Sequence, residues 1–258
     1  MKEITDIHEL RHIQMAILDD VHAFCQAHGL LYFLSSGSLI GAVRHGGYIP
    51  WDDDIDIYMP RHDYERFVNS YKASSYRVIN PATEPHYYYT FAKVVDTRTR
   101  LVEDEVKSYE IGVYIDIFPV DYVSDDPQER KRIFRRKKLL YKIRRCKLAQ
   151  SNPLDSALAF WCYRLLPISV KCLNRIIRRL IVKEVPTHTV CNMTEAGPSL
   201  NGCFPAEAIA SQVDIAFENR TYKTMVGFKE YLTRTYGDYM TLPPVEKRVT
   251  HHFEAWWL

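Results

Sequence analysis

Apolar residues at Ile4, Ile7, Leu10, Ile13, Ile17, Val21 and Phe24 recur at helical spacing, which predicts an amphipathic helix over 3–28, stopped by Gly29. A short buried strand is predicted at 30–34, a small-residue turn at 35–38 and a short helix at 39–45 that Gly46 and Gly47 break. Apolar and acidic positions then alternate from after Trp51 to 59 as a strand, and 61–71 has the spacing of a helix lying outside a sheet. Further strands are predicted at 76–80, 88–96 and 99–103, the last two joined as a hairpin near Thr97 and Arg98, and then at 113–120. The remainder, 186–258, reads as short strands and turns with a helix near 227–236 and an aromatic tail, HHFEAWWL.

Two of these strands contain carboxylates where an apolar pattern leaves no room for them. In Asp54-Ile55-Asp56-Ile57 a period of two puts both acids on one face and both isoleucines on the other. Asp52 and Asp53 crowd the same stretch, and two carboxylates about 4 Å apart repel by roughly 4 kcal/mol at an effective dielectric near 20. Such a cluster needs cations or open water. Asp116 stands between Tyr114, Ile115, Ile117 and Phe118 and cannot be buried cheaply as an unpaired charge. If the two strands are neighbours, Asp54, Asp56 and Asp116 converge.

Carboxylates gathered in this way suit metal-assisted phosphoryl transfer, in which divalent ions neutralise phosphate oxygens and activate an acceptor hydroxyl. An EF-hand calcium loop is excluded, because Asp52 onward lacks the glycine and the terminal glutamate of that motif. Gly37 and Ser38 before a short helix suit phosphate binding through backbone amides, and Arg44 is placed to reach the same phosphates. No Gly-Lys-Ser or Gly-Lys-Thr follows, so the turn is not a P-loop.

The chain has 258 residues and a net charge of +2, an average that conceals an uneven distribution. Between 127 and 184 there are seventeen lysines and arginines against three acids, in two helical stretches separated at 151–153, the second expected to kink at Pro167. We read 1–126 as a catalytic core, 127–185 as a basic helical insertion and 186–258 as the part completing the catalytic domain. The insertion suggests a peripheral membrane contact, with cations beside Phe160, Trp161, Leu165, Leu166, Ile176 and Ile177. The charged N-terminus and the lack of a long apolar run predict a cytoplasmic protein, and the six unpatterned cysteines predict reduced thiols.

The stretch SSGSLIGAVRHGGYIPWDDDIDIYMPRHDYERF resembles the signature of the LicD family, phosphocholine-transferase-like proteins of the nucleotidyltransferase fold that include the fukutin-related proteins. FAKVVDTRTRLVED, YIDIFPVD and YLTRTYGDYMTLPPVEKR are similar to further parts of the family pattern. The resemblance implies an α+β fold, a mixed sheet flanked by helices, with the basic insertion added to it. It implies that Asp54 and Asp56 are paired metal ligands for magnesium or manganese and that Asp116 is the third carboxylate, which either holds the second ion of a two-metal site or takes the acceptor proton. Gly37, Ser38, Arg44 and Lys93 would contact the donor, as would Lys247, Arg248 and His251 in the tail. Lys93 by itself reads as a solvated edge residue. The implied reaction moves a phosphorylated alcohol, most readily phosphocholine, from a CDP-choline-like donor to a sugar of a surface glycan or teichoic-acid precursor. The acceptor is expected to be lipid-linked, with the enzyme peripheral on the inner face of the membrane.

Tyr87, Tyr88 and Tyr89 with His86 form an aromatic run that either packs in the core or holds a quaternary ammonium, and Trp51 lies beside the acids. His188, Cys191 and Cys203 have a loose metal-ligand spacing that offers zinc only weak support. A nucleotidyltransferase moving a nucleoside monophosphate is the nearer alternative. A basic nucleic-acid-binding module is the other, and it leaves Asp52 to Asp56 and Asp116 without purpose, so no nucleic acid is expected.

Overall fold

The computed structural model describes residues 1–84, 87–103, 111–149, 152–183, 185–194, 202–248, 250 and 253–258; His86, Ser151 and His251 lie outside them. In chain order the elements are β1 (Lys2–Ile4), α1 (Ile7–His28), β2 (Phe33–Leu34), α2 (Ser36–His45), β3 (Asp56–Pro60), α3 (Arg61–Ser70), β4 (Tyr76–Ile79), β5 (Ala92–Asp96), β6 (Thr99–Glu103) and β7 (Tyr114–Val123). There follow α4 (Pro127–Leu148), α5 (Ala157–Leu165), α6 (Val170–Ile181), β8 (Thr189–Asn192), β9 (Cys203–Pro205), β10 (Gln212–Phe217), β11 (Arg220–Met225), α7 (Phe228–Tyr236) and β12 (Phe253–Trp257).

The result is an α+β protein built on a mixed sheet. Its path among the described residues is β2-β3-β7-β5-β4, with β8 pairing the far end of β7 and β9 pairing β8. β3 and β7 run parallel, whereas β5 and β8 are antiparallel to β7. The isoleucines of the two acidic strands, Ile55, Ile57, Ile115 and Ile117, are fully buried, so the alternation that turns them inward turns the aspartates to the other side. α1 and α3 pack on β7, and the β10–β11 hairpin is tied to β2 by Thr224 Oγ1, which donates to the Leu34 carbonyl at 3.0 Å.

Local chemistry sets the boundaries. Asp6 caps α1 by accepting from the His8 amide at 2.9 Å, and Gly29 ends it in the left-handed region at φ 61°. The predicted start at Glu3 is therefore too early: Glu3 and Ile4 pair as strand with Trp256 and Ala255, and the aromatic tail is the middle strand of a second sheet, β1-β12-β6. The predicted 88–96 and 99–103 hairpin does not form either, because β5 joins the main sheet and β6 pairs with β12. Asp96 makes the corner between them. Its side chain accepts from the Arg98 amide at 2.9 Å, and its carbonyl accepts from Thr99 Oγ1 at 2.9 Å.

Pro167 does more than kink the insertion. Leu166 is extended at φ −52°, ψ 134°, and Ser169 opens a separate helix by accepting from the Cys172 amide at 3.1 Å, so α5 and α6 are distinct. Both pack on α4. Ile177 and Ile181 of α6 join Tyr141 of α4 in a small core against Val123, Cys191 and Cys203. Phe160 and Ile177, expected on the outer apolar face, are buried, while Leu158 stands outside. No helix among the described residues is long and apolar enough to cross a membrane.

Candidate active site

The site begins where β2 turns into α2. Ser36 takes a left-handed φ of 48°, a backbone strain of order 1–3 kcal/mol for a residue with a side chain. The helix begins at Ser36, earlier than predicted, so Gly37 and Ser38 lie in its first turn. Ser38 Oγ accepts from the Asp56 amide at 2.9 Å, and the Ser35 amide donates to the Asp56 carbonyl at 3.0 Å. The turn therefore grips the first residue of the acidic strand from both sides. Ser35 Oγ is buried with no hydrogen-bond partner among the described residues.

Gly37 is glycine for a spatial reason. A Cβ there would stand 2.6 Å from Oδ2 of Asp52, so that carboxylate rests against the bare α-carbon in the first turn of α2. A helix N-terminus carries partial positive charge, and α2 has no acid of its own in that turn. Asp52 supplies one from the loop.

α1 holds that loop in place. Arg11 donates to the carbonyls of Ile49 (3.1 Å) and Pro50 (3.0 Å) and twice to that of Asp52 (2.6 and 3.1 Å). Its guanidinium also lies 4.7 Å from the Tyr48 ring centre. Gln14, one helical turn on and buried, donates to the Asp53 carbonyl at 2.7 Å and accepts from Tyr48 OH at 3.1 Å. Sequence reasoning missed both residues. Their signal is their i, i+3 position among the buried apolar positions of α1.

The strands then align the chemistry laterally. Asp56 and Asp116 are direct register partners on the parallel β3–β7 pair, and Asp116 faces Lys93 on β5. The Asp116 amide donates to the Ile55 carbonyl at 2.8 Å, which continues the ladder toward Asp54. Asp54 precedes β3 rather than lying within it.

Lys93 is not the edge residue its strand pattern suggests. It is 1% exposed, and its Nζ donates to Asp116 Oδ1 at 2.8 Å. The ammonium also stands 3.3 Å from the ring centre of Tyr114 and 4.4 Å from that of Tyr89, so aromatic faces share its charge. Of the predicted aromatic run, Tyr89 serves Lys93 and Tyr87 is buried. Arg144 of α4 fixes this segment by donating to the carbonyls of Tyr87 (2.6 Å), Tyr88 and Tyr89 (3.1 Å).

The C-terminal segment closes on the same region. Arg44 Nη1 donates to the Tyr239 carbonyl at 2.8 Å, and the Arg248 guanidinium lies 5.2 Å from the half-buried Trp51 ring. Burial, and then the charge of Arg248, lowers the pKa of Arg44. Two guanidinium groups thus stand near each other beside the acidic loop, an arrangement that attracts an anion. Lys247 is exposed in a short turn, and His251 lies outside the described residues.

The carboxylates of Asp54, Asp56 and Asp116 are hard-oxygen donors of the kind magnesium and manganese prefer. The register pairing of Asp56 with Asp116 puts two of them at one level of the sheet, which fits such an ion. Among the described residues no three or more His, Cys, Asp or Glu side chains are already gathered into a ligand set. Cys191 and Cys203 are neighbours across β8 and β9, and both thiols are free.

A sequence profile described as the LicD/FKTN/FKRP nucleotidyltransferase domain matches residues 29–153, which hold the turn, both acidic strands and Lys93. The lipopolysaccharide cholinephosphotransferase LicD of Haemophilus influenzae is 33% identical over 270 aligned positions, covering 98% of this chain and 98% of its own length. The ribitol 5-phosphate transferase FKRP of Homo sapiens is 56% identical over 32 residues, 12% of this chain and 6% of that protein. An uncharacterised protein of Rickettsia typhi is 35% identical over 65 residues, 24% of this chain and 21% of its own. With similarity extending along almost its whole length, the chain belongs to the LicD family.

Proposed function

We propose that this protein transfers phosphocholine, or a related alcohol phosphate, from a CDP-linked donor to a sugar hydroxyl of a cell-surface glycan precursor. The observation that carries the chemistry is the lateral alignment of Asp56, Asp116 and Lys93 across three adjacent strands. The choice of phosphocholine rests on the activity named for the Haemophilus relative.

In this reading Asp54 and Asp56 hold magnesium or manganese, and when bound the cation neutralises the donor diphosphate and polarises the phosphorus. Lys93 fixes Asp116 through Oδ1, and Asp116 takes the proton of the acceptor hydroxyl at its other oxygen. The acceptor oxygen forms a bond to the phosphorus bearing choline, the bond from that phosphorus to the bridging oxygen breaks, and CMP leaves with the electron pair. Arg44 and Arg248 counter the charge on the departing nucleotide, and the amides of the α2 turn orient the donor. A lipid-linked acceptor would place the reaction at the inner face of the membrane.

The test is incubation of the purified protein with CDP-choline, magnesium and a soluble glycan acceptor, followed by phosphorus NMR and mass spectrometry. The expected products are free CMP and a phosphocholine diester on the sugar. Nucleotide found on the acceptor, or no turnover with any CDP-alcohol, would overturn the proposal.

A further inference from the structure

α5 is oriented opposite to an ordinary surface helix. It carries one charge, Arg164, and that side chain turns inward, donating from Nη1 to the carbonyls of Cys146 (3.0 Å) and Ala149 (2.7 Å) at the end of α4. Lys147 answers from α4, donating to the carbonyls of Arg164 (3.1 Å) and Leu166 (2.7 Å). With the cations spent on carbonyls, the large side chains left for solvent are Leu158, Trp161 and Leu165, at 76%, 53% and 73% exposure, beside the smaller Ala157 and Cys162.

Positions 158, 161 and 165 follow i, i+3 and i+7 and form one stripe. Leu166 follows it at the end of the helix, and the exposed Lys142 of α4 stands beside α5 with its Nζ 5.8 Å from the Tyr163 ring centre; α6, which packs on the same helix α4, presents the exposed Lys171, Arg175, Ile176 and Arg179. A leucine and tryptophan stripe on a strongly cationic helical unit has the composition of a surface that lies in a lipid interface.

We propose that α5 is a monotopic docking helix that seats Leu158, Trp161 and Leu165 at the headgroup boundary of an anionic bilayer while exposed cations of the same helical unit meet lipid phosphates. Charge selects this occupant. With seventeen cations against three acids over 127–184, the complement of the surface is anionic, and a second copy of the chain would bring like charge against like. The inference goes beyond the transferase reading and stands without it.

Flotation of the full chain with vesicles tests it, using phosphatidylcholine alone and an equimolar mixture with phosphatidylglycerol. Wild type is expected to float with the anionic vesicles and not with the neutral ones. Leu158→Ser/Trp161→Ser should weaken partition by roughly tenfold or more, and Lys171→Ser/Arg175→Ser should weaken it while reducing its salt dependence. Both pairs are solvent-facing, so thermal unfolding and transfer to a soluble acceptor should be unchanged, which separates this outcome from failure of the transferase reading. Flotation indifferent to anionic lipid, or equal in the Leu158/Trp161 variant, overturns the proposal. So does size-exclusion chromatography in which wild type self-associates and that variant is monomeric, because the stripe would then be covered by a second copy.

Discussion

Lys93 Nζ stands 2.8 Å from Oδ1 of Asp116, the residue opposite it across the β5–β7 ladder, and the two side chains are 1% and 11% exposed. Desolvating both charges is unfavourable, and their attraction offsets it only while both are present. Lys93→Met should therefore destabilise the protein by about 3–5 kcal/mol in urea unfolding, because it leaves Asp116 without that counter-charge beside Asp56. Lys93→Met/Asp116→Leu should recover most of the loss while remaining inactive. A double variant as unstable as the single one would show that packing, not charge, dominates at Lys93.

The register of Asp56 with Asp116 leads to an opposite sign. Two carboxylates on neighbouring strands repel, so Asp56→Asn should leave the metal-free protein as stable or more stable, by about 1 kcal/mol or a few degrees in Tm. The same substitution should abolish transfer and remove any rise in Tm on adding magnesium. Asp116→Asn should likewise abolish transfer, and because it takes a counter-charge from the buried Lys93 it should also destabilise the protein, so turnover is compared per folded molecule well below its Tm. Near-normal turnover in either variant would sink the assignment of that aspartate.

Much of this site was legible because its signal is local. A period of two across Asp54 to Ile57 and Tyr114 to Phe118 is enough to turn acids one way and isoleucines the other. What joins the halves is not local: that β3 and β7 are adjacent and parallel, and that Asp56 meets Asp116, depends on chain sixty residues away. Lys93 looked like an edge lysine because its neighbours Ala92 and Val94 say nothing of β5 being flanked by β4 and β7. The same limit hid the role of Ser38, whose Oγ serves Asp56, and produced the false hairpin after Asp96, since β12 lies at the far end of the chain.

Arg11 tests the loop that carries the acids. Its hydrogen bonds to the carbonyls of Ile49, Pro50 and Asp52 position the loop without touching the reacting atoms. Arg11→Ala should lower kcat more than it raises KM, by about tenfold or more, since small displacements of reacting groups are expensive. Ser38→Ala, which removes the acceptor for the Asp56 amide, should destabilise by about 1 kcal/mol and impair turnover in the same sense. Steady-state kinetics with CDP-choline varied separates this from a donor contact, which would move KM first.

At the other end of β7, Arg61 forms a two-point pair with Asp121, Nε to Oδ1 and Nη2 to Oδ2 both at 2.7 Å. Burial raises the pKa of Asp121, and the arginine opposes that shift. Asp121 lies five residues past Asp116, about 16 Å along the strand, so its role is support rather than chemistry. Arg61→Met should cost about 3–5 kcal/mol by stranding a buried carboxylate, and Arg61→Lys should also destabilise because it loses the second hydrogen bond. Turnover per folded molecule should be unchanged in Arg61→Lys, as judged by activity at a temperature well below its Tm.

His45 gives the pH dependence its sign. Arg44 Nε donates to His45 Nε2 at 2.9 Å, which requires the imidazole to be neutral at that nitrogen. Partial desolvation of this largely exposed ring, and then the charge of Arg44, holds the His45 pKa below its ordinary 6.5. The folded state therefore binds this proton less readily than the unfolded chain. Its contribution to stability is fully present above pH 6.5 and is lost as pH falls through the lower folded value. A protonated ring would face Arg44 as a like charge and loosen the bond from Arg44 to the Tyr239 carbonyl. Wild type should accordingly lose thermal stability on acidification from pH 7 to 5, and His45→Gln, which keeps an acceptor but cannot titrate, should lose less. His22, whose pKa is also lowered by burial, supplies a separate loss that His22→Gln removes independently. Parallel Tm profiles for wild type and His45→Gln across that range would show that the Arg44 to His45 contact carries none of the acid sensitivity.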